Sequence, residues 1–302
     1  MMPITILTVL IRPESITKNF NMPELPEVET VRMILKKKIV GKTIKNVLVY
    51  YEKIIKNANT DEFISLLKKQ RLIDIERQGK YLIFIFSDII LLSHLRMEGK
   101  YLLQTDGPYT KHEHIIFRFT DNNELRYHDT RKFGTMHIFK TTDFTQVKRL
   151  SPLNKLGLEP FDIAMTPEYL AQKTLKLNRS VKSLLLDQSI ISGLGNIYAD
   201  EVLFLSKIHP QTNVKYLGIE NFRALIENSR TVLSRAISYG GTTVRSFKAS
   251  DEISGSFQNY LSVHTKTNCP VCGRDIIKIK IIGRGTYLCE NCQKRYDNSN
   301  NI

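Results

Sequence analysis

Four cysteines in this 302-residue chain fall as Cys269-x2-Cys272 and Cys289-x2-Cys292, sixteen residues apart. Two such knuckles can place four thiolates around one tetrahedral Zn2+. A closed shell of cysteines leaves no open coordination position, so the expected metal is structural, not catalytic. A module this small has little core of its own, so metal binding supplies much of its folding energy. Lys278, Lys280 and Arg284 stand between the knuckles and Lys294 follows the second. A zinc-held hairpin with a basic tip suits a DNA probe, although zinc ribbons also bind proteins. Cysteines clustered in this way argue for metal rather than a disulfide framework, and so for a reducing compartment.

The second chemically suggestive stretch is Met22-Pro-Glu-Leu-Pro-Glu-Val-Glu-Thr30. A Pro-Glu pair usually marks nothing more than entry into a helix. Here Val28, Val31, Leu35 and Ile39 recur at helical spacing and predict a helix over Glu27–Ile39. Pro26 suits its first turn, where a missing N–H costs nothing. Lys36, Lys37 and Lys38 complement the dipole at its far end, and Gly41 can close it.

The elements that must position these residues divide the chain. A short helix is expected near Asp61–Gln70. Strand-like runs follow at Leu72–Glu76, Tyr81–Phe86, Ile89–Leu95, Ile115–Phe119, Leu125–His128 and Met136–Phe139, with turn residues between them. Regularly spaced short strands predict a β-sandwich or barrel. After about residue 150 the pattern becomes helical: Pro167–Leu175, Val181–Gln188, Asn196–Leu205 and Ile219–Tyr239, ended by Gly240-Gly241-Thr242-Thr243. A Ser- and Gly-rich loop spans about Arg245–Phe257. The expected fold class is α+β and multidomain. Residues 22–150 form an N-terminal β-sandwich with flanking helices, 151–165 a linker, 166–263 a helical DNA-binding domain and 264–298 a zinc ribbon. Residues 1–21 share no pattern with the rest.

Lys plus Arg is 44 and Asp plus Glu is 30, a net charge of +14 with pI near 9.5. That balance favours a polyanionic partner. No run approaches the ~18 apolar residues of a membrane span. The apolar stretch Ile4–Ile11 lacks the basic flank and cleavage site of a secretory signal.

The opening Pro23-Glu-Leu-Pro-Glu27 resembles the start of mature formamidopyrimidine-DNA glycosylases. The resemblance runs to about Lys294. It includes His94-Leu-Arg-Met-Glu-Gly99, Lys111-His-Glu-His114, Asp129-Thr-Arg-Lys-Phe-Gly134, Gly193-Leu-Gly-Asn-Ile-Tyr-Ala-Asp-Glu201, Gly240-Gly-Thr-Thr243 and the cysteine knuckles. It implies a helix–two-turn–helix domain, one structural Zn2+, damaged double-stranded DNA as partner, and a monomer in the bacterial cytoplasm. The implied activity is base excision repair: removal of oxidised purines such as 8-oxoguanine and formamidopyrimidines, then cleavage at the abasic site.

By that resemblance Pro23 is the nucleophile. An N-terminal α-amine, with a pKa near 8, is about one-tenth free at pH 7. It can attack C1′, expel the base and leave an iminium ion that serves as an electron sink for β-elimination. Glu24 is the implied general acid/base. Lys80 assists β-elimination and contacts phosphate, and Arg284 is linked to δ-elimination and clamps phosphate. Met97, Arg131 and Phe133 fill the space left by the extruded nucleotide, as in the oxidised-purine branch; the endonuclease VIII branch typically starts Pro-Glu-Gly-Pro-Glu. His112 and Arg179 are implied DNA contacts. Asn196 is expected to cap its helix, whose free N–H groups could bind phosphate. Cys269, Cys272, Cys289 and Cys292 hold the zinc.

Inside a peptide bond Pro23 has no amine. The expectation is that translation begins at Met22 and that Met22 is trimmed; a proteolytically removed extension is the alternative. Two other readings compete with the enzyme: a catalytically silent lesion binder lacking a free Pro23, and a zinc-ribbon interaction protein with no DNA role.

Overall fold

A computed structural model of the chain describes residues 22–105, 107–242 and 255–297. The expected extension 1–21 and most of the loop after Arg245 lie outside these residues. Helix α1 (Leu25–Ile39) begins two residues earlier than the apolar spacing predicts. The Glu24 N–H donates to the Glu27 carboxylate at 3.0 Å, which fixes the first turn. Val28, Val31, Leu35 and Ile39 line one face and are buried in the core of the first lobe. Leu25, in the same first turn, belongs instead to the core of the helical lobe.

The first lobe is two antiparallel four-stranded sheets. One has the order β1 (Ile44–Val49), β6 (Glu113–Phe119), β7 (Glu124–His128), β5 (Lys100–Gln104). The other runs β2 (Leu72–Gln78), β3 (Tyr81–Phe86), β4 (Ile90–His94), β8 (Thr135–Phe139). Their inner faces bury Val47, Ile75, Phe84, Leu91, Ile115 and Phe117 in one cluster with α1 and α2 (Thr60–Leu67). The expected sandwich is therefore present, with β1 and β5 added to the strands read from sequence. Strands β2 and β3 pair from Leu72↔Phe86 to Gln78↔Tyr81, which leaves Gly79-Lys80 as a two-residue hairpin tip. Gly79 has φ +57, the left-handed conformation such a turn demands.

A short helix α3 (Phe144–Lys148), capped by Asp143, leads into the connection between lobes. That connection is fastened at both ends. Glu159 grips both Arg77 guanidinium nitrogens at 2.6 and 2.9 Å and accepts the Gly79 N–H at 2.6 Å. Arg230 donates to the carbonyl oxygens of Pro160 and Met165. The second lobe packs α4 (Pro167–Thr174), α5 (Val181–Leu186), α6 (Asn196–Leu205) and α7 (Ile219–Ser238) around Leu170, Leu184, Tyr198, Val202, Phe222 and Leu233. Strands β9 (Ile277–Ile281) and β10 (Arg284–Leu288) form the C-terminal hairpin between the cysteine knuckles.

Arg126 on β7 is fully buried, an uncommon place for a guanidinium. Glu124 and Glu113 neutralise it, and it donates to the carbonyl oxygens of Gly107 and Pro108. It thereby ties down the loop that leads to His112. Replacing Arg126 with Met leaves the buried Glu113 without its cation and Glu124 with Arg118 alone. Thermal or urea unfolding is expected to show a loss of about 3–5 kcal/mol; R126M as stable as the parent would mean that the cluster is not coupled to the fold.

Candidate active site and nucleic-acid interface

Glu24 precedes α1, directly after Pro23, and is 2% exposed. Its carboxylate does not point to solvent. It accepts the N–H groups of Gly195 at 2.6 Å and Ile197 at 2.9 Å, at the start of α6. Burial pushes its pKa up to about 7; the Lys80 charge and these backbone donors work in the opposite direction, and the neighbouring Glu27 adds to the rise. A carboxyl poised there can give and take a proton near neutrality.

Lys80 is 4% exposed although it occupies a hairpin tip, because the helical lobe covers it. Its Nζ donates to the Leu194 carbonyl oxygen at 2.8 Å. Burial lowers its pKa, and the Glu24 and Glu27 carboxylates resist that fall. The β2–β3 turn, the start of α1 and the start of α6 therefore converge. Arg284, exposed at the first position of β10, is close enough for its charge to bear on Lys80.

Several residues that sequence reasoning passed over complete this centre. Glu27 accepts from Tyr198 Oη at 2.5 Å and from the Thr242 N–H at 2.9 Å, as well as from the Glu24 N–H. It was legible only as an early helical residue, although its i,i+4 relation to Val31 already put a carboxylate on the apolar face. Lys182, three residues after the expected contact Arg179, is fully buried and paired with Asp200.

Two turns present the residues expected to fill the DNA. His94 is held neutral, its pKa pushed down to about 3 by burial and then by the Arg96 and Lys80 charges. Its Nδ1 accepts the Arg96 N–H at 3.0 Å, which shapes the turn carrying a partly buried Met97. Asp129 plays the same part in the next turn, accepting the N–H groups of Arg131 at 3.0 Å and Gly134 at 2.8 Å. Phe133 is 51% exposed, and the Arg131 guanidinium stands 4.7 Å from its ring centroid. His112 is partly exposed beside His128, with ring centroids 5.5 Å apart.

Two expectations change. Asn196 is not the helix cap: Gly195 holds that position. The Asn196 side chain instead donates to the Gly285 carbonyl oxygen at 2.9 Å, and its Oδ1 is buried without a partner. Nor are the N–H groups of Gly195 and Ile197 free for phosphate, because Glu24 takes them. Arg179 is paired with Asp187 at 2.9 Å.

The four cysteine Sγ atoms lie within 4.8 Å of one another, with Cys269–Cys292 at 3.7 Å and Cys272–Cys289 at 3.5 Å. A ZnS4 tetrahedron with bonds of about 2.3 Å has edges of about 3.8 Å, so the thiols fit one structural Zn2+.

Known proteins share this arrangement. Residues 22–136 match the formamidopyrimidine-DNA glycosylase N-terminal domain, 156–248 the H2TH domain of the same enzymes, and 268–295 the zinc finger found in FPG and IleRS. The chain belongs to the formamidopyrimidine-DNA glycosylase family. A Bacillus cereus formamidopyrimidine-DNA glycosylase is 46% identical over 278 residues, covering 91% of this chain and 100% of the relative. A Mycoplasma pneumoniae family member is 42% identical over 277 residues, covering 90% and 99%. Lactococcus lactis Fpg bound to abasic-site DNA superimposes with a TM-score of 0.82 at 39% identity, covering 90% of this chain and all of that one. A variant of the same protein bound to Fapy-dG-containing DNA gives 0.83 at 40% identity, with the same coverage. The chain is thus a DNA repair glycosylase of this family, with a zinc-finger module. Among the described residues no helix is long and apolar enough to cross a membrane.

Two outcomes follow from the geometry. A Cβ at Gly195 would lie 2.3 Å from Glu24 Cδ. G195A is therefore expected to slow single-turnover base excision about a hundredfold by displacing the acid, with zinc content unchanged; a parental rate would show that Glu24 need not sit on α6. Cys289→Ser is expected to release zinc, measured by metal analysis, and to weaken duplex binding through local unfolding of the ribbon. Intact affinity in the zinc-free protein would remove the ribbon from the DNA interface.

Proposed function

We propose that this enzyme excises oxidised purines, 8-oxoguanine and formamidopyrimidines, from double-stranded DNA through a Schiff base on Pro23, then cuts the strand by β- and δ-elimination. The observation that carries this reading is the Glu24 carboxyl. It follows Pro23 directly, is shut away from solvent, and is held on the α6 N–H groups with the Lys80 amine close enough for its charge to pull the carboxyl pKa down.

The neutral Pro23 amine attacks C1′ and the C1′–N bond to the base breaks. Glu24, about half protonated at neutrality, gives its proton to the departing base, takes up the proton that the Pro23 nitrogen sheds on bonding to C1′, and passes it to O4′ as the ring opens to the iminium. Loss of a C2′ proton to a base then sends electrons toward the iminium nitrogen as the C3′–O bond breaks and the 3′ phosphate leaves. Lys80 neutralises phosphate charge beside that step. Loss of a C4′ proton breaks the C5′–O bond in the same manner and releases the 5′ phosphate, with Arg284 over the departing group. Met97, Arg131 and Phe133 occupy the gap that base extrusion leaves. His112, Asn196 and Arg179 contact the backbone, the last after leaving Asp187.

The mechanism requires an unacylated Pro23. That the family match starts at residue 22, and that 91% of this chain spans the whole Bacillus cereus relative, supports a mature chain starting at Pro23. We assign residues 22–150 to the catalytic lobe, 151–165 to the linker, 166–263 to the helical lobe and 264–298 to the ribbon, in a monomer acting on cytoplasmic DNA.

Borohydride added to processed enzyme and an 8-oxoguanine duplex is expected to trap a covalent adduct whose intact mass starts at Pro23. No adduct from a chain with a free Pro23 would reduce the protein to a lesion binder. Excision needs the free Pro23 amine, with a pKa near 8, and the protonated Glu24 carboxyl, with a pKa of about 7, at the same time, so its rate is expected to reach a broad maximum at about pH 7.5 and to fall at more alkaline pH as the carboxyl loses its proton. Glu24→Gln should lower the rate by about 10²–10⁴-fold and erase that limb while preserving affinity. A limb that survives in E24Q would assign it to another group.

A further inference from the structure

Asp200 is fully buried at the centre of α6 and has three partners from three parts of the chain. One carboxylate oxygen pairs with the Lys182 amine of α5. The other meets His264 Nδ1 at 2.7 Å and the Tyr287 N–H of β10 at 3.2 Å. His264 belongs to the segment entering the ribbon, and its ring packs edge-on against Tyr287 at 4.8 Å between centroids. The neighbouring Glu201 accepts the N–H groups of Ser262, Val263 and His264. The Lys182 pair joins α5 to α6, whereas the bonds to His264 and Tyr287 reach out of the helical lobe to the ribbon, and neither His264 nor Tyr287 is one of the clustered cysteines.

Their spacing shows what they accomplish. Asn196 holds Gly285 and Asp200 holds Tyr287. Four residues of helix rise about 6 Å, and two residues of strand advance about 6.6 Å. The first turns of α6 and strand β10 therefore lie in register, contact by contact. Arg284 is the residue just before the first of those contacts. The same helix end holds Glu24 by the N–H groups of Gly195 and Ile197. One rigid element thus locates both the carboxyl beside the nucleophile and the arginine on the ribbon.

We propose that Asp200 and His264 are positioning residues that, by locking β10 to α6, place Arg284 over the reacting sugar and so set how far elimination proceeds from β to δ. Neither touches the substrate. His264 stands on the ribbon side of that lock, so its influence falls on the second elimination and not on base excision; Asp200 also pairs with Lys182, whose charge reaches Glu24. The proposal rests on the δ-elimination reading of Arg284 given above.

The test uses full-length processed enzyme on an abasic-site duplex and an 8-oxoguanine duplex. It compares the parent with R284A, H264F, H264N and D200N. Cleaved strands are sorted into β products, carrying an unsaturated aldehyde, and δ products, carrying a 3′ phosphate. Zinc content and melting temperature are measured for each. H264F keeps the ring but loses the bond to Asp200. Its δ fraction is expected to fall about tenfold, within the range that a misplacement near 1 Å can cost, with single-turnover base excision within about twofold of parent and zinc retained. In H264N an amide N–H takes the place of His264 Nδ1, and the δ fraction should recover. D200N removes the charge and serves if H264F fails to hold zinc. A parental product ratio in a zinc-loaded H264F or D200N, while R284A lowers it, overturns the positioning role. A parental ratio in R284A overturns instead the reading on which the proposal stands.

Discussion

A carboxylic acid held away from water on the amide groups of a helix start is the constraint around which this protein is arranged. Glu24 receives the Gly195 and Ile197 N–H groups across the boundary between lobes. The interaction needs a residue without a Cβ at 195, a helix aimed at the chain's own Pro-Glu segment, and a cation to offset some of the desolvation. Lys80 is that cation. Two opposing terms act on the same group: burial, which disfavours the ion, and the helix end with its amine neighbour, which favours it. Burial outweighs the other two, which keep the rise to about 7 and so leave the proton exchangeable at neutral pH.

Much of the framework was legible from local pattern. The strands Tyr81–Phe86 and the helix Asn196–Leu205 coincide with the apolar runs read from sequence. Strands β1 and β5 escaped because Lys45 and Asn46 interrupt the first, and Lys100 and Gln104 leave the second only Tyr101-Leu102-Leu103 as an apolar run. The zinc site was legible because its chemistry is confined to two short knuckles. The reading of Asn196 as a cap failed for a tertiary reason. Local preference favours asparagine there, but a carboxylate 171 residues away already serves the Gly195 N–H. Burial of Lys80 was equally invisible, since the carbonyl that receives it lies 114 residues on. Glu27 and Asp200 were hidden for the same reason: each looks like an ordinary helical acid until its distant partners are in place.

The loops expected to meet DNA follow a common plan. Each displayed side chain sits in or after a turn held by a buried polar group at, or within two residues of, the last strand position. His94 does this for Met97, Asp129 for Arg131 and Phe133, and Arg126 for the approach to His112. The polar residues in these motifs divide between those shown to solvent and those that hold the display in shape. A motif read from sequence does not separate the two kinds.

Helix α1 contributes Leu25 to one hydrophobic cluster and Val28, Val31, Leu35 and Ile39 to the other. The residue that carries the acid therefore sits at a seam that neither half can complete alone. Opening the cleft far enough to shear that seam withdraws Leu25 from its neighbours and carries Glu24 off its helix in the same movement. An opening that wide would therefore part the carboxyl from the amides that hold it.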